Sequence, residues 1–115
     1  MAARIGSAAG SGARVAVPVT TIDAYCRETG ASPDFIKIDV EGAELDVLRG
    51  GRETIARRGG DLALFVELHP TIWAARGLAA GAVLAGIREL GLEPARPWAD
   101  ALAVEGLTVR LRPRG

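Results

Sequence analysis

The stretch Asp34 to Glu44, DFIKIDVEGAE, constrains this chain more than any other. Phe35-Ile36-Lys37-Ile38 is apolar and β-branched, with the turn formers Pro33 and Asp34 just before it, and reads as a short strand. Asp39 falls where that strand should end. Glu41, Gly42 and Glu44 then open a helix, with carboxylates in the first turn, where the positive end of the helix dipole favours them. A strand that passes into a helix through a corner rich in carboxylates points to an α/β sheet. In open sheets of that kind, ligands bind beyond the carboxyl ends of the strands.

The flanking segments continue the alternation. Val15-Ala16-Val17 with Val19 suits a short strand, and Thr20 or Thr21 can cap a helix over Ile22 to Glu28, with Asp23 in its first turn. Leu45, Val47 and Leu48 belong to a helix that Gly50-Gly51 interrupts. A second segment, Arg52 to Arg58, carries Ile55 inward, and Gly59-Gly60 closes it. Leu62 to His69 is a continuous apolar run, as expected of a strand covered on both faces, and Pro70 stops it. Leu78 to Leu90 places Val83, Leu84, Ile87 and Leu90 on one helical face, with Gly91 as C-terminal cap. Leu92 to Pro97 suits a weak strand, and Leu107 to Leu111 a better, alternating one. Residues 1–14, rich in Gly, Ala and Ser, are expected to form a flexible tail, because Gly6, Gly10 and Gly12 do not fit a dinucleotide-binding loop. The domain proper is expected over residues 15–115. The alternation of strand and helix predicts a three-layer α/β/α arrangement with right-handed crossovers between parallel neighbours.

Charge narrows the function classes. Lys+Arg and Asp+Glu are both 14 in the 115 residues, so no basic field points to nucleic acid. The run Leu62 to Val66 is far too short to span a bilayer, and no secretory signal follows Arg4. Cys26 is the only cysteine, so no internal disulfide forms, and a reducing cytoplasmic setting is expected.

Parallel strands at Ile36 to Val40 and Leu62 to Leu68 would deliver Asp39 and the pair Glu67/His69 to one rim. Three titratable groups from distant sequence around one crevice is the pattern of a site. Each has a plainer reading. Asp39 can cap the helix. Glu41 and, more readily, Glu44 can be ordinary first-turn carboxylates. Gly42 can serve a sharp turn or close packing. Lys37 and Glu67 can pair across strands, and His69, the only histidine, can be a structural hydrogen-bonder. Asp39, Glu41, Glu67 and His69 also suit a hard divalent cation, but their spacing is no recognised ligand pattern, and no metal is expected. Trp73 and Trp98 are expected to pack in or beside the core.

Thr21-Ile22-Asp23, the run from Asp34 to Glu44, Val47-Leu48-Arg49-Gly50 and Val66-Glu67-Leu68-His69-Pro70 together resemble the C-terminal half of an FkbM-family methyltransferase. The likeness runs from about Val17 to Leu92. It implies a class I, Rossmann-like enzyme that uses S-adenosylmethionine to methylate a hydroxyl on a sugar, polyketide or other small metabolite. By this likeness Ile36 to Val40 is the fourth strand of that sheet and Leu62 to Leu68 the fifth. It places Asp39 beside the transferred methyl group, with Asp39, Glu41 and Gly42 at the cofactor and Asp39, Glu67 and His69 as catalytic candidates near the acceptor. The first three strands and the glycine-rich cofactor loop have no counterpart, so the chain is expected to be a truncated methyltransferase, inactive alone. The competing expectation is a non-catalytic remnant or a subunit that completes another chain's sheet. In either case Ile36 to Val40 would offer an unpaired apolar edge for self-association. A third expectation is a divalent-metal hydrolase built on Asp39, Glu41 and His69.

Overall fold

Strand β3 (Phe35–Ile38) lies parallel to and hydrogen-bonded with β4 (Ala63–Leu68), so that Lys37 sits beside Phe65 and Ile38 beside Val66. This is the pairing on which the sequence reading turned. The computed structural model describes Ala3–Arg4 and residues 19–114. In chain order these form β1 (Ala3–Arg4), β2 (Val19–Thr20), α1 (Ile22–Thr29), β3, α2 (Glu44–Arg49), α3 (Arg52–Arg58), a short 3₁₀ turn at Gly59–Asp61, β4, α4 (Pro70–Ala75), α5 (Ala80–Glu89), β5 (Leu92–Pro94), α6 (Trp98–Ala101) and β6 (Leu107–Pro113). Most of the tail expected over residues 1–14, and Val15 to Val17, lie outside the described residues. Ala3–Arg4 pairs antiparallel with Val19–Thr20.

The main sheet has the order β3-β4-β6-β5, with β6 antiparallel to both β4 and β5. Two helices, α2 and α3, carry the chain from β3 to its neighbour β4. Gly50-Gly51 separates them, as their sequence indicates, and close contact is the reason. A Cβ on Gly51 would lie 2.9 Å from Ile22 Cδ1.

One face of the sheet holds the core. Ile38, Leu64, Val66, Leu68, Val109 and Leu111 point into it and meet Leu48, Ile55, Trp73, Val83 and Ile87 from the helices. The other face is a departure from expectation. Leu62 to His69 was expected to be covered on both sides, yet β4 alternates: Leu64, Val66 and Leu68 are buried while Ala63, Phe65 and Glu67 are half-exposed. Phe35 on the same open face is 59% exposed. Among the described residues no helix covers that face, so they show two layers of the expected three. The continuous apolar run misled because Ala63 and Phe65 are apolar without being buried. Phe65 instead packs beside Phe35, with ring centroids 5.5 Å apart, and under the Arg110 guanidinium.

Two short helices were missed. Pro70 ends β4 but also begins α4, occupying its first turn, where a missing N–H costs nothing. Trp98–Ala101 is a single turn between β5 and β6.

Local capping explains the start of the described core. Thr21 Oγ1 accepts a hydrogen bond from the Ala24 N–H at 3.0 Å and caps α1. Asp23 does more than its first-turn position indicates. Its carboxylate accepts the Thr54 N–H at 2.9 Å, the Glu53 N–H at 3.1 Å and the Thr54 hydroxyl at 2.8 Å, so it caps the start of α3 from another helix. Burial raises the Asp23 pKa, but these hydrogen bonds and nearby Arg27 outweigh it and hold the carboxyl below its ordinary value.

Candidate active site

The carboxyl ends of β3 and β4 open onto one rim, and the parallel pairing brings Asp39, Glu67 and His69 there. One ligand-type atom from each lies within 4.8 Å of the other two. Asp39, one residue beyond β3, is exposed, Glu67 is half-buried and His69 is buried. Asp39 does not cap the following helix, because α2 begins at Glu44 with Ala43 in the capping position and no side chain bonded there.

His69 is held from both sides. Its Nδ1 lies 3.3 Å from Glu44 Oε1, and its Nε2 lies 3.7 Å from Glu67 Oε1. Each ring nitrogen therefore faces a carboxylate oxygen, which can only accept, with Nδ1 turned to buried Glu44 and Nε2 toward the rim. The other oxygen of Glu67 faces Lys37 Nζ at 3.6 Å, the cross-strand pair that the sequence allowed. Gly106 closes one side of the rim: its N–H bonds Leu68 O, and a Cβ there would lie 3.8 Å from His69 Nε2.

Glu44 corrects the sequence reading. It was expected, more readily than Glu41, to be an ordinary first-turn carboxylate. It is fully buried, and its Oε1 accepts from the His69 N–H at 3.2 Å and the Trp73 indole N–H at 2.9 Å, besides facing the imidazole. Its Oε2 has no partner among the described residues. The one available signal was position: Glu44 starts a helix directly opposite the end of β4, and a buried acid there needs donors, which the VELHP segment and Trp73 supply. His69 is thus both the structural hydrogen-bonder and a rim residue. Trp73 is core, and Trp98 packs against the core's edge.

Glu41 is exposed and lies outside the cluster. Gly42 has φ +93, and a Cβ there would stand 2.7 Å from Ile72 Cγ2 and 3.0 Å from Arg76 Nη1. The turn and the close approach of α4 therefore suffice to require glycine. Glu105, in the loop before β6, accepts the Thr71 N–H at 2.8 Å and so caps α4 beside the rim. Desolvation opposes ionisation of Glu105, but hydrogen bonds from Thr71 and the neighbourhood of His69 and Ile72 N–H hold its carboxyl below the usual range.

A family model, the methyltransferase FkbM domain, matches residues 4–93. The chain belongs to the FkbM methyltransferase family. The FkbM match takes in β3, β4 and every rim residue except the Glu105–Gly106 loop. No curated protein and no solved structure matches the chain at a significant level. Among the described residues no helix is long and apolar enough to cross a membrane.

Proposed function

We propose that this FkbM chain is the C-terminal half of a Rossmann-like, S-adenosylmethionine-dependent methyltransferase that acts on a hydroxyl of a sugar or other small metabolite in the cytoplasm. The carrying observation is the rim itself: Asp39 and the Glu67/His69 pair meet at the carboxyl ends of two parallel strands. That is where an α/β sheet binds ligands.

The rim's chemistry suits the reaction. Asp39 and Glu67 put two carboxylates at the mouth, which complement the positive charge of a sulfonium cofactor. When bound, the cofactor supplies an electrophilic methyl carbon. The chain's own residues must then align an acceptor oxygen for in-line displacement and take its proton. His69, which turns Nε2 to the rim with Glu44 behind Nδ1, is the proton acceptor. Glu44, itself fixed by the Trp73 indole N–H, holds the ring in place from behind, and Asp39 orients the hydroxyl.

Calorimetry with S-adenosylhomocysteine tests this reading, on the chain alone and on a version extended at its N-terminus. Saturable binding by the extended version, weakened in Asp39→Ala, is the expected result. No binding by either version would end the reading.

A second reading rests on a different observation. Strand β3 has β4 as its one neighbour among the described residues, and Phe35 on it is largely exposed. An edge of that kind fits a non-catalytic chain that completes another chain's sheet. Saturable cofactor binding would exclude it.

A further inference from the structure

The rim presents an arrangement that the proton-acceptor role alone does not satisfy. Glu44 Oε1 faces His69 Nδ1 at 3.3 Å from behind, while His69 Nε2 is turned to the rim, 3.7 Å from Glu67 Oε1. Nε2 makes no hydrogen bond among the described residues, although the His69 side chain is only 9% exposed. A third acceptor, an Asp39 carboxylate oxygen, lies within 4.8 Å of both. When Nδ1 donates to Glu44, Nε2 and the two carboxylate oxygens are three donor atoms on one rim that a single cation can bridge.

We infer that Asp39, Glu67 and His69 bind one divalent cation through two carboxylate oxygens and His69 Nε2. Three further features favour it. Metal-bound histidines commonly donate their other ring N–H to a carboxylate, and buried Glu44 takes that part here. The acceptor atoms need move only modestly to reach bond lengths of about 2.0–2.3 Å around a common centre. Three ligands on one side leave positions open toward solvent, and so toward a substrate oxygen. Lys37, which neutralises the other Glu67 oxygen at 3.6 Å, is half-exposed on the open face and can yield its place. Two oxygens and one imidazole suit manganese, iron(II) or zinc better than magnesium, which favours oxygen ligands throughout.

The inference shares its rim with the methyl-transfer reading and deepens it. A hydroxyl oxygen bound to the cation loses its proton more readily, so the cation would supersede Nε2 as the group that draws the proton away. The ion binding itself does not require that any methyl group be transferred, so the two can be tested apart.

The probe is manganese(II) chloride, titrated into the full chain while the electron paramagnetic resonance signal of the free aqueous ion is followed. One bound ion per chain is expected. Asp39→Ala and Glu67→Ala should each weaken binding by about tenfold or more. Asp39 is exposed and outside the strand, so its variant should keep the parent melting temperature. Asp61→Ala, an exposed acid at the opposite end of β4, should bind as the parent does. Failure to bind manganese, unchanged binding in Asp39→Ala, or equal weakening in Asp61→Ala would each overturn the inference. S-adenosylhomocysteine binding is read separately, so either idea can fall while the other stands.

Discussion

The Trp73 indole N–H donates to the Glu44 carboxylate at 2.9 Å, and both side chains are shut away from water. One oxygen of Glu44 also serves the His69 backbone and ring, so a single buried acid ties the first turn of α2 to the end of β4 and to α4. The rim is therefore set by a group behind it that never reaches solvent.

Removing that group should be costly. Glu44→Ala strands the Trp73 indole and His69 donors in a dry site, which costs about 3–5 kcal/mol. Urea unfolding should show a midpoint far below the parent's. Glu44→Gln keeps one carbonyl acceptor and the volume, so it should cost clearly less than the alanine change. Equal losses for the two substitutions would show that packing, rather than hydrogen bonding, holds the site.

Asp23 makes acid stability predictable in sign. Its folded pKa is lowered, so the folded state favours the ionised form. The stabilisation is present above the unfolded value of about 3.9 and disappears as pH falls through the folded value. Asp23→Asn should flatten the loss of stability below about pH 4. Asp23→Ala should cost about 1–2 kcal/mol at neutral pH, the range for a lost helix cap. Thermal melts from neutral pH down to strong acid check both statements, and an unchanged acid slope in Asp23→Asn would refute the first.

Gly42 carries a third expectation. Its φ of +93 and the 2.7 Å approach of Ile72 to a built Cβ act together. Gly42→Ala should cost about 1–3 kcal/mol through backbone strain and overpacking against α4. Gly60→Ala, where a Cβ meets nothing and φ is ordinary, is the control and should leave the melting temperature nearly unchanged.

What the sequence made legible was the strand-to-helix corner and its chemistry. The alternation of elements, the break at Gly50-Gly51, and the Lys37–Glu67 pair follow from local pattern and the parallel register. Asp39, Glu67 and His69 could be placed on one rim because strand ends are easy to read where Asp39 and Pro70 punctuate them. Glu44 was not legible, because burial of a helical acid depends on what packs above it, and helix α4 was itself hidden behind Pro70. The exposure of Phe35 and Phe65 was hidden for a related reason. An apolar run does not say whether a second layer lies over it.

That open layer motivates the last expectation. Strand β3 presents its free edge, among the described residues, alongside the exposed Phe35 ring and half-exposed Phe65. Unpaired backbone groups beside an apolar surface invite a second strand, such as one from another copy. Light scattering on the chain alone should therefore show mass rising with concentration. Phe35→Lys places a charge on the edge without touching the core, since Phe35 points away from it, and should shift the distribution toward monomer. An N-terminal extension that supplies the neighbouring strand should do the same with Phe35 intact. If the chain stays monomeric at high concentration and Phe35→Lys changes nothing, the edge is not sticky, and the tendency to self-pair does not belong to β3.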